Sequence, residues 1–290
     1  MSQRFVVFPE ENLREREKGV LVYPVYSRRS GGLSVGINLF PDQKRCPFDC
    51  PYCEVFPFSS SAVFSAGQME NDLRLAIEGA RAPVKDICFS GNGEPSLSPD
   101  FPGALELAVR VRDELVPSAD LVLITNGAGL LDPRLFSLLR GAAAGPPALN
   151  IWLKLDAGTS GWYLKMNRPK NSAAIPFEKL AAKIKEFAAC APVTIQTMLC
   201  AIDGKGPPPD EEQAWETLML ELAEKSAAGA GGRIRKVQIY GKARSAPEDP
   251  KAAVLPVEYL EQRAASLRRA FSASSLAAGS SPLPLVEVFP

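Results

Sequence analysis

Short apolar runs alternate with longer amphipathic segments through most of this 290-residue chain, and this alternation constrains its fold more than any other feature. Six runs are typical of strands buried on both faces, because their apolar residues are continuous rather than alternating. They lie at residues 33–39, 85–90, 119–125, 149–155, 192–200 and 235–241. Strands that alternate with helices predict a parallel sheet in an α/β fold.

Amphipathic helices are predicted between these strands. Apolar residues recur there at intervals of three and four, which places them on one face of a helix. The positions are Leu73, Ile77, Leu180, Ile184, Phe187, Trp215, Leu218 and Leu222. The repeated strand–helix pattern is compatible with a partial, TIM-like (β/α)6 barrel. A doubly wound open sheet has the same periodicity and is the alternative architecture.

Two shorter segments flank the strand–helix pattern. Residues 1–32 are predicted to form an N-terminal extension, 33–245 the core barrel and 246–290 a C-terminal extension. Within the last segment, the spacing of apolar residues predicts a helix over 258–271. The sequence PLVEVFP predicts a further strand, either at an edge of the sheet or as a cover over the barrel.

Composition excludes several classes of function. The chain has 33 Lys and Arg against 33 Asp and Glu, so its net charge gives no support to nucleic-acid binding. It has no histidine, so acid–base chemistry falls to other side chains and a Cys–His zinc site is excluded. Because we find neither a signal-peptide pattern nor an apolar run of about 18 residues, we expect no membrane partner and a reducing cytoplasm as the compartment.

Three cysteines lie within the nine residues RCPFDCPYC, at 45–53. Cys46, Cys50 and Cys53 have the spacing C-x3-C-x2-C and follow the first predicted strand, at the end where α/β proteins place their sites. Thiolates bind zinc or iron–sulfur clusters. A structural zinc site needs four ligands, whereas a cubane cluster held by three thiolates leaves one iron open for chemistry. A zinc loop that takes a fourth ligand from elsewhere is the alternative.

Polar residues also follow the second and third predicted strands. Gly91, Asn92, Gly93 and Glu94 come after the second strand, where the glycines admit a ligand close to the backbone and the carboxylate suits an ammonium group. Asn126 follows the third strand and can hydrogen-bond a hydroxyl group. Both stretches contain Asn-Gly, which is equally typical of an ordinary turn.

The later strands end in polar residues as well. Lys154 and Asp156 lie two residues apart at the end of the fourth strand and therefore share a face. They can bind a carboxylate and steady one another, or they can form a solvated ion pair. Gln196 and Tyr240, in the fifth and sixth strands, are further candidates for the site.

Four arginines and one asparagine are candidates for gripping an anionic substrate, because guanidinium groups bind carboxylates and phosphates through two hydrogen bonds. These residues are Arg28, Arg29, Asn167, Arg168 and Arg244. A solvated surface position is the alternative for each.

The cysteine loop, with Tyr52 before its last cysteine, and the polar residues at successive strand ends together resemble the radical S-adenosylmethionine (SAM) superfamily. The resemblance implies a four-iron four-sulfur cluster on Cys46, Cys50 and Cys53, with SAM as the second cofactor. In that family the open iron chelates the amino and carboxylate groups of SAM, which is cleaved to a 5′-deoxyadenosyl radical that abstracts hydrogen from the substrate.

The resemblance also implies roles for the strand-end residues. Glu94 would hold the methionine amino group, Asn126 a ribose hydroxyl and Lys154 the methionine carboxylate. Gln196 and Tyr240 would border the adenosyl group. The implied partner is a one-electron reductant such as flavodoxin or ferredoxin, and the cluster would be sensitive to oxygen.

Several stretches are similar to the wyosine-type, imidazoguanosine synthase-like branch of tRNA-modifying enzymes. They are YSRRSGGLSVGIN, FSGNGEPSL, KLDAG and MNRP. That branch holds a second cluster on cysteines before the main loop, and no cysteine precedes Cys46 here. The resemblance therefore implies the fold and the radical chemistry but not the substrate. A tRNA base or nucleotide is one candidate substrate class, and a peptide, protein or small metabolite is the other. A non-catalytic zinc or iron–sulfur protein is the alternative of another class.

Overall fold

Strands form where the apolar runs lie in the computed structural model of the chain, which describes residues 19–244, 246, 251–278 and 282–290. Ten strands occur among these residues. They are β1 (Val22–Ser27), β2 (Gly32–Ile37), β3 (Val84–Phe89), β4 (Asp120–Thr125), β5 (Leu149–Lys154), β6 (Pro192–Leu199), β7 (Ala201–Ile202), β8 (Arg233–Gly241), β9 (Ala252–Ala253) and β10 (Leu285–Phe289).

Seven α-helices occur among the described residues. They are α1 (Ala66–Glu78), α2 (Phe101–Leu115), α3 (Pro133–Ala144), α4 (Ser160–Met166), α5 (Phe177–Ala188), α6 (Pro209–Ala228) and α7 (Val257–Ala273). The eight apolar positions that predicted helical faces are all buried. Each such side chain contributes about 1.5–3 kcal/mol when fully buried, so these faces hold the helices in place.

The chain divides into two compact units. The first comprises the described residues of Met1–Cys46, Pro57–Thr125 and Pro146–Asn150. The second comprises those of Pro47–Phe56, Asn126–Gly145 and Ile151–Pro290. This division does not test the predicted boundaries of the core barrel, after residues 32 and 245, so they stay predictions.

In the first unit the strands lie in the order β1, β2, β3, β4. β1 and β2 form an antiparallel hairpin, whereas β2, β3 and β4 run parallel to one another. Ile37, Phe89 and Leu123 are fully buried. Sequence reasoning did not predict β1, because Pro24 argues against a central strand; β1 lies at the edge, where a missing N–H is tolerated.

In the second unit the order is β5 from Ile151 onward, then β6, β8 and β10, and the neighbours whose register is known run parallel. Every residue of β6 after Pro192 is buried, as the continuous apolar run predicted. β7 and β9 form a separate antiparallel pair. The helix predicted over 258–271 is α7, and PLVEVFP supplies β10 beside β8 as an edge strand.

The six predicted strands correspond to β2, β3, β4, β5, β6 and β8, so the predicted α/β class is confirmed. Parallel neighbours need long crossover connections, and α1 to α6 lie on those connections. Carboxyl ends of parallel strands share one edge of a sheet, so residues that follow them can form a site. None of the helices in the described part of the chain is long and apolar enough to span a bilayer.

Candidate functional site

The cysteine loop leaves the carboxyl end of β2, and its first part is held by the segment that follows β3. Arg45 N donates to Asn92 O at 2.9 Å, and Glu94 N donates to Arg45 O at 2.9 Å. A Cβ atom on Gly93 would lie 2.0 Å from Arg45 O, so only glycine fits there. Cys46 follows Arg45 directly. The close backbone approach expected at Gly93 is therefore an approach to the cysteine loop itself.

Gly91 and Asn92 brace the start of this loop. Gly91 has a φ of +113°, which favours glycine, and a Cβ there would lie 2.9 Å from Asn38 Oδ1. Asn92 is buried; its backbone N–H donates to Asn38 Oδ1 at 3.2 Å and its Nδ2 donates to Phe40 O at 3.1 Å. These contacts give Asn92 a structural role in addition to the ligand-binding role that the resemblance implies.

Glu94 is 2% exposed, and its carboxylate is held by the ends of two strands. Its Oε1 accepts hydrogen bonds from Ser96 Oγ at 2.6 Å, from Ser96 N at 3.3 Å and from Thr125 Oγ1 at 2.6 Å. Ser96 lies beyond β3 and Thr125 closes β4, so the carboxylate is fixed at the carboxyl ends of both strands.

Asn126 belongs to the second unit and begins a tight turn. Its Oδ1 accepts a hydrogen bond from Ala128 N at 2.9 Å, and Gly127 has a left-handed φ of +78°. The turn leads into a short 3-10 helix, Ala128–Leu131. The Asn-Gly turn that sequence offered as the alternative is therefore present, and the ribose contact stays a prediction.

Asp156 gathers donors from four places in the second unit. Its Oδ2 accepts from Tyr52 OH and, at 2.9 Å, from Asn167 Nδ2. Its Oδ1 accepts from Met198 N at 2.8 Å and from Lys154 Nζ at 3.4 Å. The side chains of Lys154 and Asp156 are only 16% and 0% exposed, so this buried pair is not the solvated ion pair considered from sequence.

Lys154 lies between two phenol rings. Its Nζ donates to Tyr240 OH and lies 4.7 Å from the centre of the Tyr52 ring and 5.0 Å from that of Tyr240. Burial lowers the pKa of Lys154, but Asp156, Tyr240 and Cys50 together outweigh it and hold that pKa above its usual value. Burial, with the same carboxylate beside it, raises the pKa of Tyr52 well above its usual value. At neutral pH Lys154 is therefore an ammonium and Tyr52 a neutral phenol.

A row of polar side chains continues from Lys154 across the sheet. In register, Lys154 pairs with Gln196, Gln196 with Gln238, and Gln238 with Glu287. Gln196 Nε2 donates to Gln238 Oε1 at 2.8 Å, Gln238 Nε2 donates to Glu287 Oε2 at 3.0 Å, and Lys236 Nζ lies 3.1 Å from Glu287 Oε1. Gln196 and Gln238 are buried, so their hydrogen bonds stabilise the row. Sequence reasoning missed Gln238 and Glu287, and a polar residue inside each apolar strand was the signal for them.

The loop after β5 is held by Glu211, which sequence reasoning also missed. Its Oε1 accepts from Gly158 N at 2.5 Å and its Oε2 accepts from Thr159 Oγ1 at 2.5 Å. Burial raises the pKa of the Glu211 carboxyl. Glu211 is one of three consecutive acidic residues in the first turn of α6, so only the tertiary structure distinguishes it.

Asn167 and Arg168 adjoin the cysteine loop. Asn167 is 5% exposed and contacts both Asp156 and Cys50. Arg168 has a left-handed φ of 44°, which is uncommon for a residue with a side chain. Asp49 N donates to Arg168 O at 3.0 Å, so this segment and the loop are joined through their backbones.

The remaining candidate arginines lie in different places. Arg244 Nη1 lies 2.7 Å from Glu54 Oε2, and Glu54 follows Cys53 in the chain. Arg28 and Arg29 lie in the hairpin turn before β2, whereas the cysteine loop follows β2. The two ends of a six-residue strand are on the order of 17 Å apart. The structure therefore brings Arg244 to the cysteine loop and does not bring the Arg28–Arg29 pair there.

The three loop cysteines are half-buried, and none is in a disulfide. Cys46 lies in the first unit, and Cys50 and Cys53 lie in the second. Within the described ranges, no three Cys, Asp or Glu side chains converge as the ligands of one metal ion would. A cubane cluster does not require such convergence, because each thiolate binds a different iron. The donor set, three thiols on one loop, fits a cluster of this kind.

The other three cysteines behave as apolar residues. Burial raises the pKa of Cys88 and of Cys200 to about 12, and it raises that of Cys190 above its usual value. Thiols with such pKa values stay protonated at neutral pH, and it is the thiolate that binds metal.

No protein-family model matches the chain. Among curated proteins, the UPF0026 protein of Helicobacter pylori (strain ATCC 700392 / 26695) is 30% identical over 121 residues, which are 40% of this chain and 38% of that protein. The match thus spans well under half of the relative.

Solved structures are similar over most of the chain. Streptococcus suis SuiB bound to the precursor peptide SuiA aligns with 88% of this chain and 48% of its own, at a TM-score of 0.59 and 12% identity. SuiB bound to S-adenosylmethionine aligns at a TM-score of 0.56 and 13% identity, over 88% of this chain and 46% of its own. A radical SAM methyltransferase from Sphaerobacter thermophilus aligns with 88% of this chain and 65% of its own, at a TM-score of 0.58 and 17% identity.

These likenesses show the fold. The chain has a mixed α/β, partial TIM-like barrel fold, as these solved structures do. The prediction of a barrel is confirmed, and the doubly wound alternative is set aside.

Proposed function

We propose that this protein is a radical SAM enzyme whose four-iron four-sulfur cluster is held by Cys46, Cys50 and Cys53. The observation that carries the proposal is the C-x3-C-x2-C loop after β2 in a chain with this fold. The likeness to SuiB bound to S-adenosylmethionine supports SAM as the second cofactor. When bound, these groups supply one-electron cleavage of SAM to methionine and a 5′-deoxyadenosyl radical, which abstracts hydrogen from the substrate.

In the first unit, Glu94 is the group that we assign to the SAM ammonium. Ser96 and Thr125 fix its carboxylate through their hydroxyl groups, so little reorganisation is needed when a cation binds. Gly91 and Gly93 keep the neighbouring backbone free of side chains, which lets a ligand approach the cysteine loop.

In the second unit, Lys154 is the group that we assign to the SAM carboxylate. Asp156 keeps Lys154 charged and, with Tyr240, fixes the direction of its ammonium group. Asn126 is assigned to a ribose hydroxyl, and Gln196 with Tyr240 to the adenosyl group. Burial of this cluster also keeps water away, which a reactive radical requires.

Cleavage of SAM needs one electron for each radical that is formed, so the cluster must be reduced by a partner. We assign a one-electron reductant of the flavodoxin or ferredoxin type as the partner. Free thiols and an oxygen-sensitive cluster suit a reducing cytoplasm, because oxidising compartments favour disulfides.

For the substrate we place a tRNA base or nucleotide first, on the sequence similarity to the wyosine-type branch. A peptide is the second candidate, which the fold likeness to peptide-bound SuiB favours. Arg168 and Arg244 adjoin the cysteine loop and are assigned to anionic groups of the substrate. Arg28 and Arg29 lie at the far end of β2 and would reach only an extended substrate such as tRNA.

The test of the activity is anaerobic reconstitution with iron and sulfide, followed by dithionite and SAM. We expect 5′-deoxyadenosine from the wild type and from Cys190→Ala, and none from Cys53→Ala. Equal yields from Cys53→Ala and the wild type would remove the enzymatic proposal. One zinc per anaerobically purified chain, with no visible absorption, would instead support the structural metal site.

The test of the substrate class is binding of tRNA at several salt concentrations. An affinity that falls steeply with salt would favour tRNA, because lysine and arginine side chains that bind phosphates release counterions from them. The absence of binding at low salt would favour the peptide.

A further inference from the structure

The segment that follows α4 pairs with the cysteine loop in the manner of a short antiparallel ladder. Asp49 N donates to Asn167 O at 3.2 Å and to Arg168 O at 3.0 Å. On the other side, Lys170 N donates to Pro47 O at 2.9 Å. All these residues belong to the second unit, and they hold the part of the loop that carries Cys50.

Side-chain packing and backbone strain both indicate that the contact between this segment and the cysteine loop is fixed by the fold. Phe48 forms an isolated antiparallel β-bridge with Pro169. The Phe48 ring packs edge-on against the Tyr163 ring, with the ring centres 5.8 Å apart. The left-handed φ of Arg168 is strained for a residue that carries a side chain. A backbone with such strain persists only where surrounding contacts fix it, and here those contacts place Asn167.

The side-chain amide of Asn167 lies between an acid and a cysteine. Its Nδ2 is 2.9 Å from Asp156 Oδ2 and 3.9 Å from Cys50 Sγ. The carboxylate of Asp156 can only accept, so the nitrogen and not the oxygen of the amide must face it. One amide hydrogen of Asn167 then forms the hydrogen bond to Asp156, and the second forms the contact with Cys50 Sγ.

Iron binding changes which of these contacts is favourable. As a thiol, Cys50 Sγ donates to the backbone oxygen of Asn167 at 3.6 Å. As a ligand it is a thiolate, which has no proton to donate and can only accept. The Asn167 Nδ2–H to Cys50 contact is then the favourable one, because donors to an anion form stronger hydrogen bonds.

We propose that Asn167 is a positioning residue that donates a hydrogen bond to the Cys50 thiolate and thereby raises the reduction potential of the cluster. The inference rests on the proposed function and deepens it. The one-electron couple adds an electron from an external reductant to the cluster, so the reduced form is the more negative one. A donor hydrogen bond to a ligating sulfur stabilises that form more than the oxidised form.

Asn167 also links the two parts of the second-unit site. The same amide binds Asp156, which in turn holds Lys154, the residue assigned to the SAM carboxylate. The cluster ligand Cys50 and Asp156, the acid that holds Lys154, are therefore oriented by one side chain. This explains why a buried amide, rather than an exposed substrate contact, occupies the position.

The experiment is a mediated redox titration of the reconstituted cluster without SAM, followed by electron paramagnetic resonance of the reduced form. We expect Asn167→Ala to shift the midpoint potential to a more negative value. Asn167→Asp should shift it further, because it adds a negative charge beside the sulfur. Asn171→Ala, which changes an exposed asparagine four residues further on, should leave the potential where it is.

The sign of the shift separates this role from a merely structural one. A loosened loop would admit water, which stabilises the more negative reduced form and raises the potential. An unchanged or more positive potential in Asn167→Ala would overturn the inference. Failure of the wild type to form a cluster would instead overturn the proposed function, so the two failures are distinguishable.

Discussion

Asp156 and Glu94 are two buried acids at strand ends, and they are held in different ways. Asp156, in the second unit, is bound by a lysine, a tyrosine, an asparagine and a backbone N–H from separate segments. Glu94, in the first unit, receives hydroxyl hydrogen bonds from a neighbour two residues away and from Thr125. The first acid neutralises a buried lysine and joins several segments, whereas the second accepts hydrogen bonds from neutral hydroxyl groups at two strand ends.

Both acids follow a strand of the sheet, yet their contacts give them different roles. Removing the charge of Asp156 leaves the buried ammonium of Lys154 without its carboxylate, so the free energy of unfolding should fall. Replacing Glu94 by a neutral amide leaves an acceptor for the same hydroxyl groups, so the affinity for SAM should fall more than the free energy of unfolding.

The largest effect is expected for Asp156→Asn. Removing one partner of a buried ion pair costs about 3–5 kcal/mol, so the free energy of unfolding should fall by roughly that amount. Urea unfolding of the metal-free protein measures it. The matched control is Asp203→Asn, in an exposed pair with Lys251 worth below about 1 kcal/mol. Asp203 has a φ of 52°, which asparagine tolerates. Equal losses in both variants would contradict the role of Asp156.

A smaller free-energy change, seen in binding, is expected for Glu94→Gln. Loss of a hydrogen bond between charged groups costs about 1.5–3 kcal/mol, so SAM should bind about 10- to 100-fold more weakly. Anaerobic equilibrium dialysis with the reconstituted protein measures the affinity. Glu106→Gln, on the exposed side of α2, is the control and should bind SAM as the wild type does. Unchanged affinity in Glu94→Gln would remove this residue from the SAM site.

The smallest effect is a pH dependence at Glu211, which holds the loop after Asp156. Its pKa is raised by burial, so its stabilising contribution is complete below the unfolded pKa of about 4.3 and is lost as pH rises through the folded value. Glu211→Gln cannot ionise. The unfolding free energy of this variant minus that of the wild type should therefore increase between pH 4 and pH 8.

Glu70 provides a control of opposite sign. Its hydrogen bond with Arg110 lowers its pKa, so its contribution is present above the unfolded pKa and is lost as pH falls. For Glu70→Gln the same difference should therefore decrease between pH 4 and pH 8. A difference that moves the same way in both variants would show that burial does not govern Glu211.

The fold could be predicted because it depends on local patterns. Continuous apolar runs gave the six parallel strands, and the spacing of Leu180, Ile184 and Phe187 gave a helix that is present. β1 was missed because a proline conceals an edge strand. The choice between barrel and open sheet depends on contacts distant in sequence, which periodicity does not contain.

The site could be predicted only where chemistry shows in single residues. Three clustered cysteines and a Lys-x-Asp pair stand out in any sequence. Glu211 and Gln238 do not, because their importance comes from partners 53 and 42 residues away. Asn167 was assigned to substrate from its neighbour Arg168, whereas its buried contacts with Asp156 and Cys50 depend on the folding of α4.

The polar row that ends at Glu287 has a direction. A carboxylate accepts only, so Gln238 must turn its nitrogen toward Glu287 and its oxygen toward Gln196. Gln196 must then donate to Gln238, and its own oxygen is left for groups on the opposite side. Exchanging Glu287 for lysine, which only donates, would oblige both amides to rotate. A change in the last strand would thus exchange an acceptor for a donor two strands away.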